Sequence, residues 1–174
     1  SLSWGQGIVD FGGNRRVISD GKWAGFGFQQ NGPVDHSLPV MAAHDNDGSV
    51  IAVWTNYACH CTTVGGRNHI GGDWAGNSNL AIEELYEGAI ALTTIGCGAD
   101  VGPQPSGNMD IAKQHGESIA TEVKRVLSNE LTSLPDEPQA SSKQLSLPLD
   151  ELPDPKHFED LAEGGGYHGN HAKA

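Results

Sequence analysis

A histidine between two cysteines is the first stretch of the chain whose side chains could do chemistry. The run "NYACHCTTVGG", residues 56–66, places Cys59, His60 and Cys61 where an apolar segment opens into a glycine-containing loop. Neighbouring side chains on an extended segment point to opposite faces, and cysteine ligands of zinc are usually separated by about two to four residues. The spacing therefore disfavours a structural Cys/His zinc module and predicts small buried thiols. His60 is open to two interpretations, a metal ligand or a hydrogen-bonded structural residue.

Two arginines and two aspartates are further candidates. The run "NRR", residues 14–16, places two guanidinium groups in a glycine-rich stretch of a very acidic chain. Such groups suit bidentate contact with a carboxylate or phosphate, and the alternative is a surface ion pair. Asp73 in "GGDWAG" and Asp100 in "GCGADVGP" lie beside glycines, so helix capping and turn formation account for both. The sequence contains no GxSxG, HExxH, P-loop or GxGxxG signature.

The strands that must position these residues are indicated by apolar runs. They are predicted over residues 7–11, 37–45, 49–58 and 89–96. Asp47 and Gly48 predict a tight turn that joins the second and third of these strands into a hairpin. The runs 49–58 and 89–96 have no polar face, so both strands are predicted to be buried on both sides of one sheet.

The spacing of apolar residues along the chain predicts two helices. Residues 73–86 predict one helix with Asp73 as its N-cap, and residues 109–131 predict another, capped by Asn108 or Asp110. His115 falls on the apolar face of the second helix and is predicted to lie in the core. The predicted fold is therefore α/β, a mixed sheet with packed helices. Loops at the strand ends of such sheets carry function, and His60, Asp73 and Asp100 all fall there.

Composition and charge narrow the domain organisation and the classes of partner. A chain of 174 residues with 24 glycines and a net charge of −12 favours one α/β domain with long loops, and it argues against nucleic acid or anionic membranes as partners. No apolar run approaches the ~18 residues of a transmembrane helix. We predict a main domain over 1–134, a linker with a strand over 135–150, and the start of a helical segment over 151–174. The chain begins without methionine, so we expect it to be a central fragment of a longer protein.

Five segments occur in an order that resembles a known family. They are "GNRR", "GPVDHSLPV", "NYACHCTTVGG", "IGGDWAG" and "IGCGADVGPQP". Together they resemble the neutral/alkaline non-lysosomal ceramidases, especially compact bacterial members, over about residues 5–130 of this chain. The resemblance implies an α/β domain in which zinc activates water to hydrolyse an amide bond.

The resemblance also implies roles for individual residues. His60 matches a zinc-binding histidine, and Arg15 with Asn14 matches an active-site segment that binds the substrate's polar group or the developing oxyanion. The family's remaining ligands, an earlier histidine and a later glutamate and tyrosine, are implied to lie outside this chain. Zinc is therefore expected in the full-length protein, while the fragment is expected to be inactive alone. A small-molecule or lipid-like amide substrate and a secreted or periplasmic location are further implications of the resemblance.

One departure from the family's pattern bears on the chemistry. Ceramidases carry a catalytic serine in a G-D-V-S-P-N segment, and Gly102 stands at that position here. Gly102 thus lines the expected substrate site without a hydroxyl, which argues against serine-assisted hydrolysis but not against zinc-activated water. The alternative prediction is a catalytically dead binding or scaffolding domain with the same fold. Asp73 and Asp100 are predicted to shape the loops of the site.

Overall fold

A computed structural model describes residues 1–174 except His69, Asp136, Pro138 and Ala174. The chain divides into two compact units, Ser1–Pro138 and Gln139–Ala174. The strands of the first unit are β1 (Leu2–Ile8), β2 (Gly12–Asn14), β3 (Arg16–Ser19), β4 (Lys22–Phe26), β5 (Ser37–His44), β6 (Val50–Tyr57), β7 (Ile90–Ile95), β8 (Val101–Pro103) and β9 (Thr132–Ser133). Its helices are α1 (Asp73–Leu85) and α2 (Met109–Leu127).

A mixed five-stranded sheet forms the centre of the first unit. Its strand order is β7-β6-β5-β1-β9, with β6 and β7 parallel and the other neighbours antiparallel. Two further strand pairs, β2 with β8 and β3 with β4, lie outside this sheet. The predicted α/β fold with a mixed sheet and packed helices is confirmed, and the predicted hairpin is β5–β6.

The turn of that hairpin is wider than the tight pair predicted at Asp47 and Gly48. The carboxylate of Asp45 accepts hydrogen bonds from the backbone N–H groups of Asp47 and Ser49, at 2.9 and 2.8 Å. Gly48 then takes a φ of 83°, a conformation that glycine adopts without steric cost. The side chain of Asp45 therefore closes a loop over residues 45–49.

One face of the sheet is covered by the two helices. Leu38, Val40 and Val53 point to this face and are fully buried against Trp74 of α1 and Ile119 of α2. The helix α2 begins at the cap Asn108, whose side chain accepts the N–H of Ile111, which confirms Asn108 rather than Asp110. His115 is buried on this helix, as predicted, and stacks on Phe11.

The opposite face of the sheet is not covered by the described elements of this first unit. On that face, four residues that are paired across neighbouring strands lie side by side: Trp4, Met41, Trp54 and Leu92. Leu92 is 54% exposed, and β7 lies at the edge of the sheet. The prediction that 49–58 and 89–96 are buried on both sides is therefore wrong. An all-apolar run fits a strand with one covered face as readily as a strand with two.

The first strand begins earlier than predicted. It spans Leu2–Ile8 rather than 7–11, because Gly5 and Gly7 do not break it. A Cβ at Gly5 would come within 2.8 Å of Val126, and one at Gly7 within 2.6 Å of Glu122, so both glycines allow α2 to pack closely on β1. In this strand the glycines reflect close packing rather than a loop.

The second unit contains the helices α3 (Pro155–Gly164) and α4 (Gly166–Ala172). Asp154 caps α3, because its carboxylate accepts the N–H of Lys156. The strand predicted within 144–150 does not form, and Leu145, Leu147 and Leu149 are exposed. Alternating leucines need a neighbouring strand to pair with, and Pro148 removes one backbone donor.

Candidate functional site

His60 lies just beyond the end of β6, and hydrogen bonds hold its backbone in place. Its N–H donates to the carbonyl of Val101 at 3.1 Å. Its carbonyl accepts the indole N–H of Trp74, a fully buried residue of α1, at 2.9 Å. The histidine is therefore tied both to the first helix and to the start of β8.

The ring of His60 is fixed in one orientation by two backbone carbonyls. Its Nδ1 lies 2.7 Å from the oxygen of Gly98 and 3.1 Å from that of Val101. Carbonyl oxygens only accept hydrogen bonds, so Nδ1 must carry the proton in the neutral ring. The lone pair of the imidazole is consequently on Nε2, the nitrogen that faces away from these carbonyls.

Gly98 makes this arrangement possible. A Cβ at this position would lie 2.6 Å from the carbonyl carbon of Ala58 and the nitrogen of Cys59. Only glycine therefore allows the 97–100 loop to approach the end of β6 closely enough for its carbonyl to reach Nδ1. Neither Gly98 nor Trp74 was predicted to belong to the site, and the signal for Gly98 was the glycine pair in "IGCGAD".

Arg15 lies directly against the free nitrogen of His60. One terminal guanidinium nitrogen, Nη2, is 3.0 Å from Nε2 of His60 and donates to the carbonyl of Ala99 at 3.1 Å. Arg15 also donates its backbone N–H to the carbonyl of Asp100 at 2.7 Å. The predicted proximity of Arg15 and His60 is thus observed, whereas their catalytic roles stay predictions.

Asn14, Asp100 and Gly102 complete the same corner through the pairing of β2 with β8. The buried Asn14 donates its side-chain amide to the carboxylate of Asp100 at 3.1 Å and to the carbonyl of Pro33 at 2.9 Å. Gly102 pairs with Gly13, and a Cβ there would meet only Arg15, at an ordinary 3.6 Å. The position at which the resemblance implies a serine therefore faces Arg15 with room for a Cβ.

Asp73 lies at the start of α1 and organises the loop after His60. Its carboxylate accepts backbone N–H groups from Thr63, Val64 and Trp74, at 3.1, 2.9 and 2.8 Å. The predicted N-cap role is wrong, because Gly72 occupies that position and Asp73 itself has a φ of 51°. Burial would raise the pKa of Asp73, but these hydrogen bonds outweigh it and hold the pKa below the ordinary value.

The three cysteines are free thiols and do not cluster around His60. Cys59 is buried, and burial raises the pKa of its thiol to about 12. Cys61 is exposed, so the prediction of a buried thiol holds for Cys59 and fails for Cys61. The argument against a shared metal concerns His60, because neighbouring side chains on an extended segment point to opposite faces and would place both cysteines opposite the histidine.

The described residues could supply one zinc ligand, His60, but not a complete zinc site. In the described part of the chain, no group of three or more His, Cys, Asp or Glu side chains could hold a metal ion. The imidazole of His60 has one feature of a ligand, because backbone carbonyls fix its tautomer with the lone pair on Nε2, although Arg15 Nη2 lies 3.0 Å from that nitrogen. Within the same residues, no helix has the length and apolar character to span a bilayer.

Two solved structures share this arrangement of strands and helices. The chain overlaps a ceramidase complexed with C2 at a TM-score of 0.58 and 15% identity, covering 73% of this chain and 22% of that one. It overlaps the neutral ceramidase from Pseudomonas aeruginosa at a TM-score of 0.56, with the same identity and coverage. The chain is ceramidase-like in fold.

The ceramidase-like fold confirms the resemblance drawn from the five sequence segments, at the level of fold. The chain spans 22% of the length of these two structures, so their activity is not transferred by the match alone. No protein-family model matches the sequence. No curated protein matches it either.

Proposed function

We propose that this chain is part of a zinc-dependent hydrolase that cleaves amide bonds, in which His60 supplies one ligand to the metal. The observation that carries the proposal is the fixed ring of His60. Two carbonyls hold its Nδ1–H, and Nε2 faces the guanidinium of Arg15.

The side chains around Nε2 suit this chemistry. When bound, zinc supplies a Lewis acid and lowers the pKa of a water molecule. Arg15 always carries its charge and offers several N–H donors, so it can bind the amide oxygen as negative charge develops there. Because one lone pair serves one partner, Arg15 must release Nε2 of His60 before a metal can bind that nitrogen. Asn14 and Asp100 keep the Arg15 backbone in position meanwhile.

The substrate class follows from the ceramidase-like fold and from Gly102. Both structural neighbours are ceramidases, which supports a lipid-like amide as substrate. Gly102 provides no hydroxyl, so the reaction would depend on the metal and on Arg15 rather than on a serine. Secretion or a periplasmic location remains a prediction from the resemblance.

The test compares two histidine variants of the intact full-length protein. We expect His60→Ala to lose stoichiometric zinc, measured by mass spectrometry of the metal, together with hydrolysis of a fluorogenic N-acyl amide. His44→Ala, at the end of β5 beside the β5–β6 turn, should retain both. Full zinc occupancy in folded His60→Ala would show that His60 is not a ligand.

A binding or scaffolding domain that lost its chemistry is the second candidate, and the glycine at 102 favours it. That function predicts that the wild-type intact protein cleaves no amide at any zinc concentration. Hydrolysis that depends on both zinc and His60 would exclude it.

A further inference from the structure

We propose that Arg15 and Arg16 together bind the oxoanion of a small amphiphilic molecule, a carboxylate or a phosphate, whose apolar part lies on the β3–β4 hairpin. The two guanidinium groups lie side by side, because Nη2 of each donates to the carbonyl oxygen of Ala99, at 3.1 and 3.3 Å. Both also lie over the ring of Phe26, at 5.0 and 5.1 Å from its centroid.

No acidic side chain neutralises this pair within the described residues. The ion pairs found there involve other residues, Lys113 with Glu117 and Arg125 with Glu122. The carboxylate of Asp100 is the acidic group on the same surface, and it accepts from Asn14 instead. Two adjacent cations without a counter-charge are unexpected in a chain with a net charge of −12. Mutual repulsion makes such a pair costly unless an anion binds between its members.

The donors needed to bind an anion are available. Ala99 and His60 engage Nε and Nη2 of Arg15, and Ala99 engages only Nη2 of Arg16. Nη1 of Arg15 and Nε and Nη1 of Arg16 have no protein partner among the described residues. Guanidinium N–H groups match the paired oxygens of a carboxylate or phosphate, so the unused donors form a suitable oxoanion site.

An apolar surface adjoins these donors. Arg16 pairs with Phe26 across the hairpin, and the ring of Phe26 contacts that of Trp23, with 5.6 Å between their centroids. Phe26 is 65% exposed and Trp23 is 54% exposed. Arg16 and Ile18 also line a surface hollow of about 390 Å³, a volume within the usual range for a small-molecule site. Charge at one end and exposed aromatic rings at the other suit an anionic head group with an apolar tail.

This inference deepens the proposed function and rests on it for the origin of the anion, because an amide hydrolase releases a carboxylate. Arg15 belongs both to the anion site and to the surroundings of His60. Cleavage of the C–N bond by water gives one acid and one amine, and the acid loses its proton at neutral pH. The anion site would hold the acyl half of the substrate through its carbonyl oxygen and afterwards the released carboxylate.

The experiment measures binding of octanoate, octyl phosphate, octanol and acetate by calorimetry on the intact protein treated with a chelator. We expect octanoate or octyl phosphate to bind at least about tenfold more tightly than octanol and acetate, because each of those lacks one half of the recognised chemistry. Whichever of octanoate and octyl phosphate binds more tightly identifies the preferred head group. Equal binding of octanol and both anionic probes would overturn the proposal.

Variants then test the arginine directly. Arg16→Gln should weaken binding of the anionic amphiphile about tenfold, the loss expected for hydrogen bonds to a charged group. Lys22→Gln removes the same charge from the same hairpin and should change the affinity less than about twofold. Unchanged binding in Arg16→Gln would refute the site. Should that variant fail to fold, Arg16→Lys is the alternative. It keeps the charge but loses the paired guanidinium N–H donors, so it should still weaken binding.

Two comparisons distinguish this anion site from a membrane-binding surface and from the proposed hydrolase activity. Binding to anionic phospholipid vesicles without binding of monomeric amphiphiles would overturn the inference in favour of a membrane surface. Binding of octanoate through Arg16 in a protein without amide hydrolase activity would support the anion site and remove the proposed function. Hydrolase activity in a protein whose octanoate binding is unchanged by Arg16→Gln would support the proposed function and refute the anion site.

Discussion

Two hairpins of this molecule contain an Asp-Gly pair, and they lie in opposite environments. The hairpin β5–β6 lies inside the five-stranded sheet, and its alternate side chains are buried beneath the helices. The hairpin β3–β4 is a separate two-stranded ribbon with most of its residues exposed. The first leads into His60, while the second begins at Arg16. The contrast shows that burial fixes the position of one hairpin, whereas the other presents most of its side chains to solvent.

The largest expected effect is a difference in the stability lost when one side chain is removed from each hairpin. Leu38→Ala in β5 removes a fully buried side chain and should lower the free energy of unfolding by about 2–5 kcal/mol. Trp23→Ala in β4 removes a larger side chain that is 54% exposed, and it should change the same quantity by less than about 1 kcal/mol. Urea unfolding of both variants checks the contrast. Equal losses would mean that β3–β4 also packs into the core.

The next effect concerns the loop that orients His60. Gly98→Ala places a methyl group against the backbone of Ala58 and Cys59, which should cost about 1–3 kcal/mol of stability. Displacement of the Gly98 carbonyl should also remove the shorter of the two hydrogen bonds to Nδ1 of His60, so the ¹⁵N NMR signals of the ring should shift. Gly66→Ala is the control, because no atom lies near its added methyl. An unshifted His60 signal in Gly98→Ala would contradict this account of the ring.

A smaller and pH-dependent effect is expected at Asp73. Asp73→Asn should lower stability at neutral pH by about 1 kcal/mol, because three backbone N–H groups lose a charged acceptor. The pKa of Asp73 is lowered in the folded state, so its contribution is complete above the ordinary value of 3.8 and is lost as pH falls through the folded-state pKa. Stability curves of wild type and variant should therefore converge in acid. A difference that persists at about pH 2, below the usual range of carboxyl pKa values, would point to packing instead.

The smallest effect is expected at the position of the missing serine. Gly102→Ser should lower stability by less than about 1 kcal/mol, because the added Cβ would meet only Arg15, at an ordinary 3.6 Å. Gly116→Ser is the contrasting control, since its Cβ would lie 2.6 Å from the backbone of Asn77 and Ser78. Thermal unfolding of the two variants measures the difference. A large loss at Gly102 would show that the glycine is required by the fold.

The sequence predicted those elements whose residues pack by simple periodicity. The hairpin β5–β6, both main helices and the capping by Asn108 follow from local pattern and capping chemistry. The strand β1 was misplaced because its glycines serve contacts with α2, which is remote in sequence. The exposure of β7 could not be predicted, since an apolar run does not reveal how many faces its sheet covers.

The proximity of Arg15 and His60 could be predicted from the sequence, but the hydrogen bonds that fix it could not. The resemblance identified Arg15 and His60, and the fold brings them within 3.0 Å. The carbonyl of Gly98 has no side chain to identify it, so its role was visible only in three dimensions. The hairpin β3–β4 did leave a signal, the pair Asp20 and Gly21, whose φ angles of 51° and 73° suit the two-residue turn preferred by tight hairpins. The strands predicted from apolar runs nevertheless do not include this hairpin.

The uncovered face of the sheet has a consequence for how the chain behaves in solution. Its edge strand β7 is rich in exposed aliphatic side chains, with Ile90 61% exposed. At neutral pH a charge of −12 keeps copies of the chain apart, but that repulsion vanishes near the isoelectric point of about 4.8. Strand edges of this kind pair with one another when nothing repels them. Acid titrations of this chain should therefore pass through a narrow interval of poor colloidal stability, in which light scattering rises, before the net charge turns positive and copies repel again.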